Sequence, residues 1–202
     1  MGEERHGKEN HMLVQSCMRT ASTSLTDFLV NISGKRRHVH PGRIEPKIEG
    51  WEAFPSGTAS LVPEEVLTDW VCNESYIIQE HILPLEEHRE ILLKIPEEKR
   101  KIVVLKRPGI ESWHSQCKRL GHGDRCKNDE CRDSFIKFRD ELDVCFPETD
   151  GYLHVEMKEL LQNKDETLRK ILDYYGIAYN AVRKLPEFPW SRKNESSCIW
   201  RG

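Results

Sequence analysis

The chain has 202 residues, 32% of them charged and 37% hydrophobic, with a formal net charge of −3. That is enough for one domain with a sizeable core, and it is not the basic balance of a protein whose main partner is nucleic acid. No apolar run approaches the ~20 residues that would cross a bilayer.

Met1–His11 is charged and polar, unlike a secretory signal. It is expected to be a disordered polar tail, with residues 12–202 forming a single soluble, cytoplasmic domain. Seven cysteines are present, an odd number. Cys17 and Cys145 sit in apolar contexts and read as buried thiols. The rest form no regular framework, which points to a reducing compartment.

The first informative stretch is Leu13-Val14-Gln15-Ser16-Cys17-Met18-Arg19-Thr20-Ala21-Ser22-Thr23-Ser24-Leu25. A short apolar run gives way to small and hydroxylated residues and then to the amphipathic Leu25–Val30. This spells strand, tight loop, helix. A loop feeding a helix N-terminus gathers unpaired N–H groups and the positive end of the helix dipole at one spot, which suits phosphate. Ser22, Thr23 and Ser24 add hydroxyls, and Arg19 adds a fixed charge with a fork of donors. The bland alternative is a Ser/Thr cap opening an amphipathic helix. The kinase P-loop, two glycines followed by Lys and Ser/Thr, is absent, because neither glycine nor lysine occurs from Leu13 to Leu25.

Next comes a basic cluster, Gly34-Lys35-Arg36-Arg37-His38-Val39-His40-Pro41-Gly42-Arg43, expected as a solvated turn or edge strand, or as a patch drawing anions to the site mouth. Residues 44–63 are irregular and could shape an acceptor pocket. Pro63 and the acids after it open a helix-like segment through Val71. Ser75–His81 is β-like, and a helical stretch follows Pro84 through Leu93. His81 ends that strand, where an open parallel sheet presents its chemistry. Its ordinary pKa would let it take a proton near neutrality; otherwise it caps the strand.

Lys101-Ile102-Val103-Val104-Leu105 is the clearest strand, apolar enough to be buried on both faces. Lys106-Arg107-Pro108-Gly109 then leads into a helix carrying Ser112, His114 and Ser115. His114, Cys117, His122, Cys126 and Cys131 are ligand types for zinc, but the cysteine intervals match no common zinc pattern, and a disulfide or a plain hydrophilic loop fits better. Asp133–Val144 is amphipathic at helical spacing, Tyr152–Val155 is a short strand, and Met157–Tyr175 is helical with Gly176 as its stop. Strands alternating with helices predict an α/β fold with an open, mainly parallel sheet flanked by helices.

Several of these stretches resemble the sulfotransferases, the cytosolic type in particular. Arg19-Thr20-Ala21-Ser22-Thr23-Ser24-Leu25 is similar to the family's 5′-phosphosulfate loop, Lys/Arg-Ser-Gly-Thr-Thr-x-Leu, with Ala21 where glycine is usual. Ile77-Ile78-Gln79-Glu80-His81-Ile82-Leu83-Pro84 resembles the strand that ends in the family's catalytic histidine. Arg107 and Ser115, eight apart, match its 3′-phosphate pair; anchoring on Pro108 instead selects Lys106 and His114. Leu160, Leu168 and Gly176 keep the spacing of a family helix. Arg192 and Lys193 stand where a nucleotide-covering segment would be.

The resemblance implies a three-layer P-loop nucleoside-triphosphate-hydrolase-like fold. It also implies in-line transfer of a sulfuryl group from 3′-phosphoadenosine-5′-phosphosulfate to a hydroxyl or amine acceptor, small-molecule or carbohydrate, leaving 3′,5′-adenosine bisphosphate. Arg19 and His81 would be catalytic. Arg19, Thr20, Ala21, Ser22, Thr23, Ser24, Lys106, Arg107, Ser115, Arg192 and Lys193 would hold the nucleotide, with no metal. The alternatives are a degenerate nucleotide-binding module and a P-loop nucleotide kinase.

Overall fold

The computed structural model describes residues 10–16, 20–39, 73–80, 94–119, 121–148, 151–179 and 185–189. Among them run, in order, β1 His11–Ser16, α1 Ser22–Ser33, β2 Arg36–Val39, β3 Tyr76–Glu80, β4 Arg100–Lys106, α2 Gly109–Arg119, a 3-10 turn Asp124–Lys127, α3 Asp129–Cys145, β5 Tyr152–Glu156, α4 Met157–Gln162 and α5 Lys164–Tyr175.

The five strands form one sheet in the order β2-β3-β1-β4-β5. Every neighbouring pair is parallel, with Ser16 beside Leu105 and Gln15 beside Glu80 at the shared C-terminal edge. Parallel strands need a crossover on one face or the other, and this chain uses both. Met12, Val14, Ile77, Val103, Leu105 and Val155 form one core with Leu25, Phe28 and Leu29 of α1 and with Leu168, Ile171, Leu172 and Tyr175 of α5. The strand residues of opposite parity, Leu13, Ile78, Ile102 and Val104, are buried on the other face. There α3 is tied to the end of β4 by Lys106–Asp143 at 2.9 Å. Trp113 of α2 packs on Phe135 of α3, ring centroids 5.5 Å apart. The result is a three-layer α/β architecture.

The strand expectations hold to within a residue or two, with three differences. The first strand starts at His11, and Asn10 Nδ2 donates to the Tyr175 carbonyl at 3.0 Å. The basic cluster contains the short edge strand β2, as one of its expected forms, but its Lys35 is buried rather than solvated, donating to the carbonyls of Asn10 and Glu74. Desolvation holds that ammonium below the usual lysine range. The long C-terminal helix is broken at Asn163, whose φ of −126° and ψ of 45° leave the helical region. Gly176 does stop α5, in the left-handed conformation at φ 67°. The helical segments expected at 63–71 and 84–93 lie outside the described residues, as does Cys17.

Candidate functional site

Strand β1 lies at the centre of the sheet, with β3 on one side and β4 on the other. The chain leaves β1 for α1 on one face and leaves β4 for α2 and α3 on the opposite face. Adjacent strands whose exits diverge open a crevice at their C-terminal ends, and open α/β sheets bind ligands in that crevice.

One wall is the start of α1. Ala21 is the residue before the helix, and it takes a left-handed conformation, φ 64° and ψ 19°. An L-residue pays about 1–2 kcal/mol for that region. The turn therefore forms without glycine, at a cost. It leaves the first-turn N–H groups of α1 without helical partners. Thr20, Ser22 and Ser24 are buried, whereas Thr23 is exposed. Below them Gln79, wholly buried on β3, donates through Nε2 to Ser22 Oγ at 3.1 Å and to Thr23 Oγ1 at 3.3 Å. An accepting hydroxyl still has its own proton to donate. Gln79 thus fixes two hydroxyls at the mouth of the helix. As a polar residue after Ile77-Ile78 in a strand buried on both faces, Gln79 itself is the signal in the sequence that could have found it.

The other wall is the end of β4. Lys106 is buried and committed: Nζ lies 2.9 Å from Asp143 Oδ1 and 3.3 Å from Glu148 Oε1. Asp143 also meets Arg139 at 2.6 Å, and Arg139 Nε donates to the Arg107 carbonyl at 3.0 Å. Burial by itself would raise the Asp143 carboxyl. The Lys106 hydrogen bond and the Arg139 charge outweigh it and hold the group below the usual carboxylate range. Arg107, also buried, donates from Nε to Glu111 Oε2 at 3.3 Å. Ser115 is buried on α2.

Of the residues singled out in the sequence, the fold gathers Thr20, Ala21, Ser22, Thr23 and Ser24 on one wall. Lys106 and Arg107 stand at the neighbouring strand end, with Ser115 on the helix that follows. Arg19, His81, Arg192 and Lys193 lie outside the described residues. Asp143 and Arg139, which organise Lys106, could not have been found from spacing, because they enter from a helix some thirty residues on.

Cys117 and Cys126 form a disulfide, with Cα atoms 5.5 Å apart, and Cys131 is buried outside it. A disulfide is one of the outcomes expected of this loop. No helix among the described residues is long and apolar enough to cross a membrane.

No family model matches this chain, and no curated protein matches it in sequence. Among solved structures it is similar to a gluconokinase from Sinorhizobium meliloti 1021, with a TM-score of 0.56 and 12% identity over 83% of this chain and 91% of that one. At that identity the likeness establishes the fold alone, a parallel sheet flanked by helices. It matches the expected architecture and carries no support for a sulfotransferase in particular.

Proposed function

We propose that this chain is a nucleotide-dependent group transferase whose β1–α1 loop grips the donor's anionic end, and that the group moved is a sulfuryl from 3′-phosphoadenosine-5′-phosphosulfate. The observation that carries the reading is the wall built by Ala21, Ser22, Thr23 and Gln79. It combines a helix N-terminus with hydroxyls set by a buried amide, and it has Ser22 where a kinase loop places lysine. The hydroxyl content suits phosphosulfate oxygens, and the left-handed turn at Ala21 brings backbone close to them.

In this mechanism Arg19 and the first-turn N–H groups hold the oxygens on which charge grows. Such preorganised donors are worth about 3–4 kcal/mol each to a transition state. His81 takes the acceptor's proton as its oxygen attacks sulfur, and the bound donor supplies the activated sulfuryl group. Arg107 and Ser115 receive the 3′-phosphate, with Glu111 leaving the guanidinium.

A second reading is phosphoryl transfer from a nucleoside triphosphate. The likeness to a gluconokinase favours it over sulfuryl transfer, and the missing lysine and glycines of the loop oppose it. Calorimetric titration separates the two. Tight binding of 3′,5′-adenosine bisphosphate without magnesium, followed by transfer from labelled donor to hydroxyl acceptors, is the expected result. Magnesium-dependent binding of ATP in its place would overturn the sulfuryl reading. Binding of the bisphosphate without transfer to any acceptor would leave only the binding module. Arg19→Ala is expected to lose both binding and turnover, and His81→Ala turnover alone.

A further inference from the structure

The turn that joins α2 to α3 carries a set of soft metal ligands that group transfer does not use. His114 and Cys117 are three apart on α2, so they share a side of the helix. Gly121 and His122 both take the left-handed conformation, φ 74° and 55°, and turn the chain back on itself. The His122 N–H thereby donates to the Cys117 carbonyl at 2.9 Å. A non-glycine residue held in that region marks a place worth inspecting for function. The 3-10 turn then returns Cys126 to Cys117. All four side chains border one open cavity of about 260 Å³, backed by Trp113.

Their intervals are two residues from His114 to Cys117, four from Cys117 to His122 and three from His122 to Cys126. Two Cys and two His are a ligand set that zinc takes in tetrahedral sites, and here two such pairs border one cavity, although only four residues separate them. Counting cysteines alone hides this, because each pair is one His and one Cys. With the disulfide closed, no His, Cys, Asp or Glu trio among the described residues is arranged to hold a metal. The thiolates that zinc needs are tied up in the sulfur–sulfur bond.

We propose that reduction of the Cys117–Cys126 disulfide turns this loop into a zinc site, with His114, Cys117, His122 and Cys126 as the four ligands. A dithiol reductant supplies the two electrons. One of its thiolates attacks a cysteine sulfur, its second thiolate resolves the mixed disulfide, and it leaves as a cyclic disulfide while both cysteines become thiols. Zinc then displaces the two thiol protons and takes two thiolates and two neutral imidazoles. The loop is cross-linked in either state, by sulfur when oxidised and by metal when reduced.

The test uses the full chain, reduced with a dithiol, freed of it under anaerobic conditions and titrated with cobalt as a spectroscopic probe. One equivalent should bind, with thiolate-to-cobalt charge transfer and intense tetrahedral bands that one equivalent of zinc abolishes. The oxidised chain should bind none. His114→Ala and His122→Ala should each weaken zinc by roughly tenfold or more, and Cys131→Ser should bind as the parent does. If reduction unfolds the chain, recovery of its circular dichroism on adding zinc supports the site, and no recovery overturns it. The proposal also fails if the reduced, folded chain takes no cobalt, if binding survives loss of both histidines, or if Cys131→Ser alone abolishes it.

Discussion

Ala21 and His154 show how much a single position decides. Ala21 sits at φ 64° at the entrance of α1, where glycine would sit without strain. Ala21→Gly is expected to stabilise the chain by about 0.5–1 kcal/mol, the relief of strain exceeding the added freedom of the unfolded chain. Urea unfolding would show it, and an unchanged midpoint would mean that the strain is absorbed elsewhere. His154, on β5, lies among charges. Burial foremost, and then the charge of Lys106, hold its imidazole below the ordinary value, against the opposing pull of the Pro147 carbonyl, Glu148 and Asp143. The folded state thus sheds a proton that the unfolded state keeps. The stability tied to this group is complete above the unfolded pKa of about 6.5 and declines as pH falls below it. Unfolding midpoints measured down the pH scale should fall more steeply for the parent than for His154→Gln, and parallel curves would assign the slope to other groups.

The elements explain why the site has two unlike walls. The N-terminus of α1 offers donors because Ala21 cannot cap it and the first turn has no acidic residue. The end of β4 offers cations already matched by carboxylates from α2 and α3. The loop wall thus presents hydroxyls and a helix end, and the β4 wall presents cations paired with carboxylates. Gln79→Ala should weaken bisphosphate binding by calorimetry and lower stability by about 1–3 kcal/mol, since Ser22 and Thr23 lose a buried donor. Wild-type affinity would remove Gln79 from the site. The α2–α3 turn has its own staple, and Cys117→Ser with Cys126→Ser should cost about 2–3 kcal/mol in metal-free buffer, the entropy of closing a short loop. A loss well below 1 kcal/mol, read by thermal unfolding, would mean that the turn holds without it.

Across the whole molecule, a parallel sheet covered on both faces concentrates its apolar mass at the centre. Tyr175 closes the α5 side, fully buried, with its hydroxyl donating to the Leu13 carbonyl at 2.6 Å. Tyr175→Phe should cost about 1–2 kcal/mol in chemical denaturation while leaving nucleotide affinity unchanged, because it acts at the far side of the core from the crevice edge; a change in affinity would link the core to the site. The alternation of strand and helix was legible in local pattern. Buried parallel strands are continuous apolar runs, and Lys101–Leu105 is one. The hydroxyl-rich loop was legible too, because such residues suit the mouth of a helix. Strand order, the divergent exits of β1 and β4 and the partners of Lys106 were not, since each depends on residues brought together from far apart in the chain. By itself the sequence determined which of the described segments are strands and helices, because backbone periodicity and turn chemistry act over a few residues. Only the tertiary structure decided that Gln79 holds the loop's hydroxyls, that Asp143 and Glu148 take Lys106, and that His114 and His122 stand beside a joined pair of cysteines, because burial and charge pairing are settled by neighbours in space.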